Sequence, residues 1–236
     1  MKNKTVSIVA ELPKKQVARM AGLFYFLYIV TTIFADVVGR SKTIVYGDAV
    51  ATANNIMSSG WIFRLGFVID LVSAVLFFLA AWALYILLKP VNKNLALLFL
   101  LLNLGGTAVY SVNLINQLGA LILLSGASYL KVFQVDQLQA MAMFFLDLYK
   151  NGFWVAQIFF GVWLLPLGYL VFKSGFIPKI IGVVMLVHFV GWISTFFQTF
   201  LFPDFTVLRS ITFSLGLISE LGLTLWLLII GVKKKN

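Results

Sequence analysis

The sequence predicts an all-α fold, a polytopic integral membrane bundle of six transmembrane helices with one short amphipathic helix at the outer interface. Three observations carry this prediction. Of the 236 residues, 61% are hydrophobic and only 11% charged, where a soluble domain is near half apolar and about a quarter charged; mean hydropathy is +1.01. Six apolar runs, at 20–38, 62–88, 95–124, 152–172, 180–202 and 210–232, are each long enough to cross ~30 Å of hydrocarbon. Basic residues are shared unequally between alternate loops, the asymmetry that membrane insertion imposes. No polar stretch is long enough to fold separately, so 20–232 is expected to be a single transmembrane domain between a basic arm, 1–19, and a basic tail, 233–236.

Taken in order, the arm carries Lys2, Lys4, Lys14, Lys15 and Arg19 against one acid, Glu11, and Pro13 discourages a helix before it. The first run reaches residue 38 if Asp36 is tolerated. A signal peptide cleaved after Ala35 is the competing reading, weakened by the length of the run and by the spans that follow. In the loop 36–60, Asp48 is placed to N-cap a short helix through Asn55, turning Ala49, Ala53 and Ile56 toward the membrane or the bundle. The second span stops at Lys89 and Pro90. The third, 95–124, has no charge and exceeds the roughly 20 residues needed to cross, so it must tilt, kink at Gly105 and Gly106, or project outward. Met141, Phe144, Phe145 and Leu148 recur at helical spacing and predict the amphipathic helix, 138–148. The fourth span turns at KSGFIPK, and the fifth and sixth carry His188 and Glu220 near their middles.

Six spans put both termini on one side. Lys2, Lys4, Lys14, Lys15, Arg19, Lys89, Lys93, Lys173, Lys179 and Lys233 to Lys235 fall there, and Arg40, Lys42, Arg64, Lys131, Lys150 and Arg209 fall opposite. That bias predicts cytoplasmic termini. Spans two, four and six each close with an aromatic shortly before a lysine (LYILLK, GYLVFK, LWLLIIGVKKK), the habit of interfacial anchors.

Composition also excludes chemistry. With no cysteine, disulfides, zinc–thiolate sites, iron–sulfur clusters and thiol nucleophiles are ruled out. One histidine rules out HExxH and bis-histidine haem sites. Walker, GxGxxG and GxSxG motifs are missing. No metal and no cofactor is expected. The net charge of +10 sits in short loops and at the ends, which points to membrane lipid, with anionic lipid at the cytoplasmic loops, and not to nucleic acid. GxxxG is absent, and Ala18 with Gly22 is the nearest small-residue pair for helix packing.

The candidate site residues are polar groups inside the spans. Counting ~1.5 Å per residue puts Asn103 and His188 ~15 Å from the inner face, and Glu220 is again near the middle of its span, so the three would form a midplane layer if their faces converge. Such a layer would accept a proton or bind a cation, or would serve only as interhelical glue. A second tier lies nearer the outside. Arg64 and Asp70, about 120° apart on span two, are poorly placed to pair with each other, so each is expected to pair across, with Asp36–Arg64 one candidate. Asn113 and Gln117 close span three at similar depth, and such a mouth suits a small amphiphile or an anion at Arg64.

The strings VARMAGLFYFLYIV, DVVGRSK, GDAVATANNI, FRLGFVIDL and LLKPVNKNLALL, then LSGASYL, DQLQAMAMFFLDLY, GYLVFKSGFIPKIIG and ELGLTLWLL, resemble a bacterial membrane family known as domain of unknown function four-three-eight-six. The resemblance spans nearly the whole chain and implies a six-span membrane protein, with Arg64, Asp70 and Glu220 in its pattern and no catalytic residues to carry over. Three functions are therefore weighed. One is binding or translocation of a small solute or proton, another a non-catalytic sensor or scaffold. The third is a lipid-acting enzyme with Glu220 and His188 as acid–base pair.

Overall fold

The computed structural model describes residues 12–204 and 207–233; Lys2, Lys4, Glu11, Lys234 and Lys235 of the arm and tail lie outside the described residues. Regular structure among the described residues is entirely helical. Six helices, Lys14–Arg40, Gly60–Leu88, Lys93–Leu123, Val135–Ser174, Lys179–Leu201 and Val207–Ile230, are long and apolar enough to span a bilayer. The chain is a multi-pass membrane protein.

Helix α1 (Lys14–Phe34) starts behind Pro13, whose carbonyl accepts from Gln16 and Val17. It runs into a π-helical turn, Ala35–Arg40. The short helix α2 (Ala49–Ser58) is N-capped by Asp48, whose carboxylate accepts from the Ala51 amide at 2.8 Å, and Ala53 and Ile56 turn inward. Helix α3 (Gly60–Leu88) gives way to a turn at Pro90, and Asn92 caps α4 (Lys93–Asn113) through the Leu95 amide at 3.1 Å.

The third span does not kink at Gly105 and Gly106. Its one irregular residue is Leu114, which keeps helical angles (φ −60, ψ −21) ahead of α5 (Ile115–Leu123), and the glycines form a flat patch against the rings of Phe159 and Phe160. The stretch 138–148 is likewise no separate helix. It is the beginning of α6 (Val135–Val162), because nothing between Leu148 and Gly152 stops the helix. Its inward face is Ala142, Met143, Leu146 and Tyr149, while Phe144 and Leu148 are exposed. The short helix apart from the spans is α2.

Pro166 lacks the amide that would bond Val162, so α6 ends there and α7 (Leu164–Ser174) follows. Gly175, at φ 74, caps α7, and Pro178 precedes α8 (Lys179–Leu201). The last span stays helical while its winding changes: α9 (Val207–Gly216), a π turn at Leu217–Leu221, α10 (Gly222–Leu225) and a second π turn at Trp226–Ile230.

The chain divides into two compact units. One combines Leu76–Thr107 with the described parts of Met1–Leu27 and Gln157–Asn236. Its core is aromatic: Trp163 packs against Phe77, Phe99 and Tyr25 at centroid distances of 5.0, 6.3 and 6.4 Å. Small residues let its backbones touch. A Cβ on Gly22 would lie 2.6 Å from the Leu228 amide, and one on Gly182 would lie 2.7 Å from the Gly168 carbonyl. Lipid tails supply no hydrophobic drive between helices, so such close contacts hold the packing. The other unit, Tyr28–Val75 with Ala108–Ala156, is built on Ile44, Ile56, Phe63, Ala120, Leu121 and Leu146. The polar network described next lies within it.

Candidate functional site

The network starts from local backbone geometry. In the π turn the Ser41 amide reaches the Asp36 carbonyl at 2.8 Å, five residues back, which widens the helix just where Asp36 and Arg40 sit. The neighbouring Gly39 meets Gly66 of α3 backbone to backbone; a Cβ on Gly39 would lie 2.8 Å from the Gly66 Cα. Asp70 follows Gly66 by one helical turn, as Arg40 follows Gly39 by one residue. The two glycines therefore deliver a guanidinium to a carboxylate.

Asp70 is fully buried, and its Oδ2 pairs with Nη1 of Arg40. From the third span Tyr110 donates to Oδ1 at 3.0 Å and the Gln117 amide reaches Oδ2 at 3.5 Å. Buried Tyr149 adjoins Tyr110, and its ring lies 5.8 Å from the Arg40 guanidinium carbon. The Arg40 Nε donates to Asp36 at 3.2 Å. The two carboxylates on Arg40 are unequal: the Asp36 side chain is 58% exposed and that of Asp70 0%. Beyond them Lys150 stands over the ring of Tyr46 at 4.5 Å. Burial pushes the Tyr46 phenol upward and Arg40 draws it partly back.

Two irregular helix segments bracket this network. One is the π turn. The other is the tightened turn at Leu114, where the Gln117 amide donates to the Leu114 carbonyl at 2.9 Å, and it lies between Tyr110 and Gln117, the two donors to Asp70 from this span. Asn113 ties this turn to the next span, donating to the Tyr149 carbonyl at 2.8 Å and accepting from Asn116 at 3.0 Å. Its amide fills the space left by the missing side chain of Gly152.

Of the candidates chosen from the sequence, Asp36 and Asp70 share Arg40, and Asn113 joins the cluster through Tyr149. Arg64 does not join. It is exposed and has no hydrogen bond or ion pair among the described residues, so the expected Asp36–Arg64 pair is replaced by Asp36–Arg40. The midplane layer does not form a bonded site either. Asn103 is buried with both side-chain polar atoms unpartnered. His188 Nδ1 shares a 2.9 Å hydrogen bond with Ser219, and Gly216 leaves room for the ring. Glu220 is half-buried, with its carboxyl against the Tyr25 phenol. Neighbouring residues 219 and 220 point about 100° apart on a helix, so His188 meets Ser219 and not the acid.

Arg40, Tyr110 and Tyr149 were missed by sequence reasoning. Asp36 and Arg40 stand four apart, and Tyr110 and Gln117 seven apart, so each pair shares a helical face. Those spacings were the available clue.

No solved structure matches the chain. An uncharacterized protein of Archaeoglobus fulgidus is 31% identical over 113 residues, covering 48% of this chain and 54% of that protein, so the chain matches about half the length of its relative. The family model Domain of unknown function (DUF4386) matches residues 20–231. The chain belongs to that family.

Proposed function

We propose that the protein binds a small anionic solute at Arg40 and passes it across the membrane. The observation behind this reading is the unequal pairing of Arg40: Asp70 is a buried, fixed counter-ion, while Asp36 is an exposed and exchangeable one. An entering carboxylate or phosphate would displace Asp36 without stripping Asp70 of its partner. An exposed ion pair is worth at most ~1 kcal/mol, so the exchange is cheap. Buried ion pairs rarely repay their desolvation, and ionisable groups within spans usually mark solute or proton pathways. The π turn that carries Asp36 and Arg40 is a local irregularity of the kind frequent at functional sites.

A structural clasp is the second reading. It is favoured by Asp70, whose acceptors are filled by Arg40, Tyr110 and Gln117. Thermal unfolding of the purified protein against acetate and succinate separates the two. Solute binding predicts a carboxylate-induced rise in melting temperature that Arg40→Gln abolishes; a clasp predicts no Arg40-dependent response. The acid–base pair needed for a lipid-acting enzyme is not assembled, because Glu220 and His188 have different partners. We place the protein in a cytoplasmic membrane with both termini inside, on the strength of the basic-residue bias.

A further inference from the structure

A second polar feature is independent of the Arg40 network. The start of α1, the turn between α3 and α4, the end of α7 with the turn that follows it, and the residues after the last span line a half-open cavity of about 560 Å³. That volume falls within the ~300–1,000 Å³ typical of small-molecule sites. Three of these segments each contribute a lysine: Lys14, Lys173 and Lys233. The Lys233 amide donates to the Phe176 carbonyl at 3.2 Å, fastening the chain end to the α7–α8 turn.

Among the described residues the lysines have no acidic partner. Ion pairs among the described residues are those of Arg40 with Asp36 and Asp70, and none involves a lysine of this cavity. Two of the ammonium groups rest on aromatic faces: Lys173 lies 5.9 Å from the rings of Tyr169 and Phe172, and Lys233 5.1 Å from that of Trp226. Such rings hold a cation in place without neutralising it. Three like charges around one cavity repel one another unless an anion joins them.

We propose that this cavity binds a phosphate-bearing anion, with Lys14, Lys173 and Lys233 as its counter-charges. The same chemistry is offered by the headgroup of an anionic phospholipid and by free phosphate. Basic pockets between spans favour the former, each lysine near an anionic surface strengthening binding roughly fivefold.

The test uses the full-length protein in nanodiscs. One arm compares phosphatidylglycerol with phosphatidylcholine and counts retained lipid by native mass spectrometry. The other titrates inorganic phosphate into phosphatidylcholine nanodiscs at constant ionic strength and follows the melting temperature. Retention of phosphatidylglycerol over phosphatidylcholine by about tenfold or more identifies a lipid headgroup. A melting shift with phosphate alone identifies a free anion. In either case the K14Q/K173Q/K233Q variant must lose the response, and K14R/K173R/K233R must keep it. If the triple glutamine variant does not fold, Lys173→Gln alone is expected to weaken the response severalfold. A response unchanged by removing the lysines, or no response in either arm of the wild type, overturns the proposal.

Discussion

Removing Arg40 while keeping Asp70 is the perturbation whose outcome the geometry fixes most tightly. Arg40→Met preserves most of the side-chain volume but leaves the fully buried carboxylate with only Tyr110 and Gln117 as donors. Deleting one partner of a buried ion pair costs ~3–5 kcal/mol. Two donors remain and the carboxyl can take up a proton, so the lower end applies, ~3 kcal/mol, or roughly a hundredfold in the folding equilibrium. Asp70→Asn strands a cation that is 13% exposed and still has Asp36, which limits the loss to about 2 kcal/mol. The double variant leaves neither charge uncompensated at the buried position. Its loss should fall short of the sum of the singles by about 2 kcal/mol, within the range found for contacting residues. Reversible unfolding in mixed micelles measures all four corners of this cycle. Singles costing under ~0.5 kcal/mol, or strict additivity, would refute the pairing.

Three further outcomes follow from the same structure. Gly39→Ala, whose Cβ would press on the Gly66 backbone, should destabilise by ~1–3 kcal/mol, whereas Gly60→Ala, with nothing within 4 Å, should stay within ~0.5 kcal/mol in the same unfolding assay. Glu220→Gln keeps the shape and the contact with Tyr25, so its melting temperature should match the wild type within a few degrees; failure to fold would mean that the carboxyl itself organises the span. A reporter fused after Asn236 should read cytoplasmic, and a signal from the opposite side would reverse the orientation inferred from the lysines.

What the sequence disclosed and what it hid divide along physical lines. Spans are set by local composition, and so is the Asp48 cap, which needs only an acid and the amide three residues on. The Ala18 and Gly22 pair was also visible, because a helix lacking side chains on one face invites a neighbour. Asp70 stood out as a charge inside a span, but its partner did not. Arg64 was the cation nearest in sequence, while Arg40 reaches Asp70 only through a π turn and a glycine–glycine crossing, both consequences of tertiary packing. The tightened turn at Leu114 was hidden for a similar reason: Gly105 and Gly106 looked like the weak point, yet they serve as a seat for Phe159 and Phe160. Equal depth did not make a site of Asn103, His188 and Glu220, since depth fixes height along a helix and not the direction a residue faces.

The central claim is that Arg40 exchanges Asp36 for an incoming anion, and Asp36→Asn tests it most directly. Removing the competing carboxylate should leave the fold intact and tighten binding of the responding anion by roughly two- to fivefold, the equivalent of an exposed ion pair of ~0.5–1 kcal/mol. Isothermal titration of wild type and variant reads this ratio. Unchanged or weaker binding in Asp36→Asn would contradict the exchange and leave the network as a clasp.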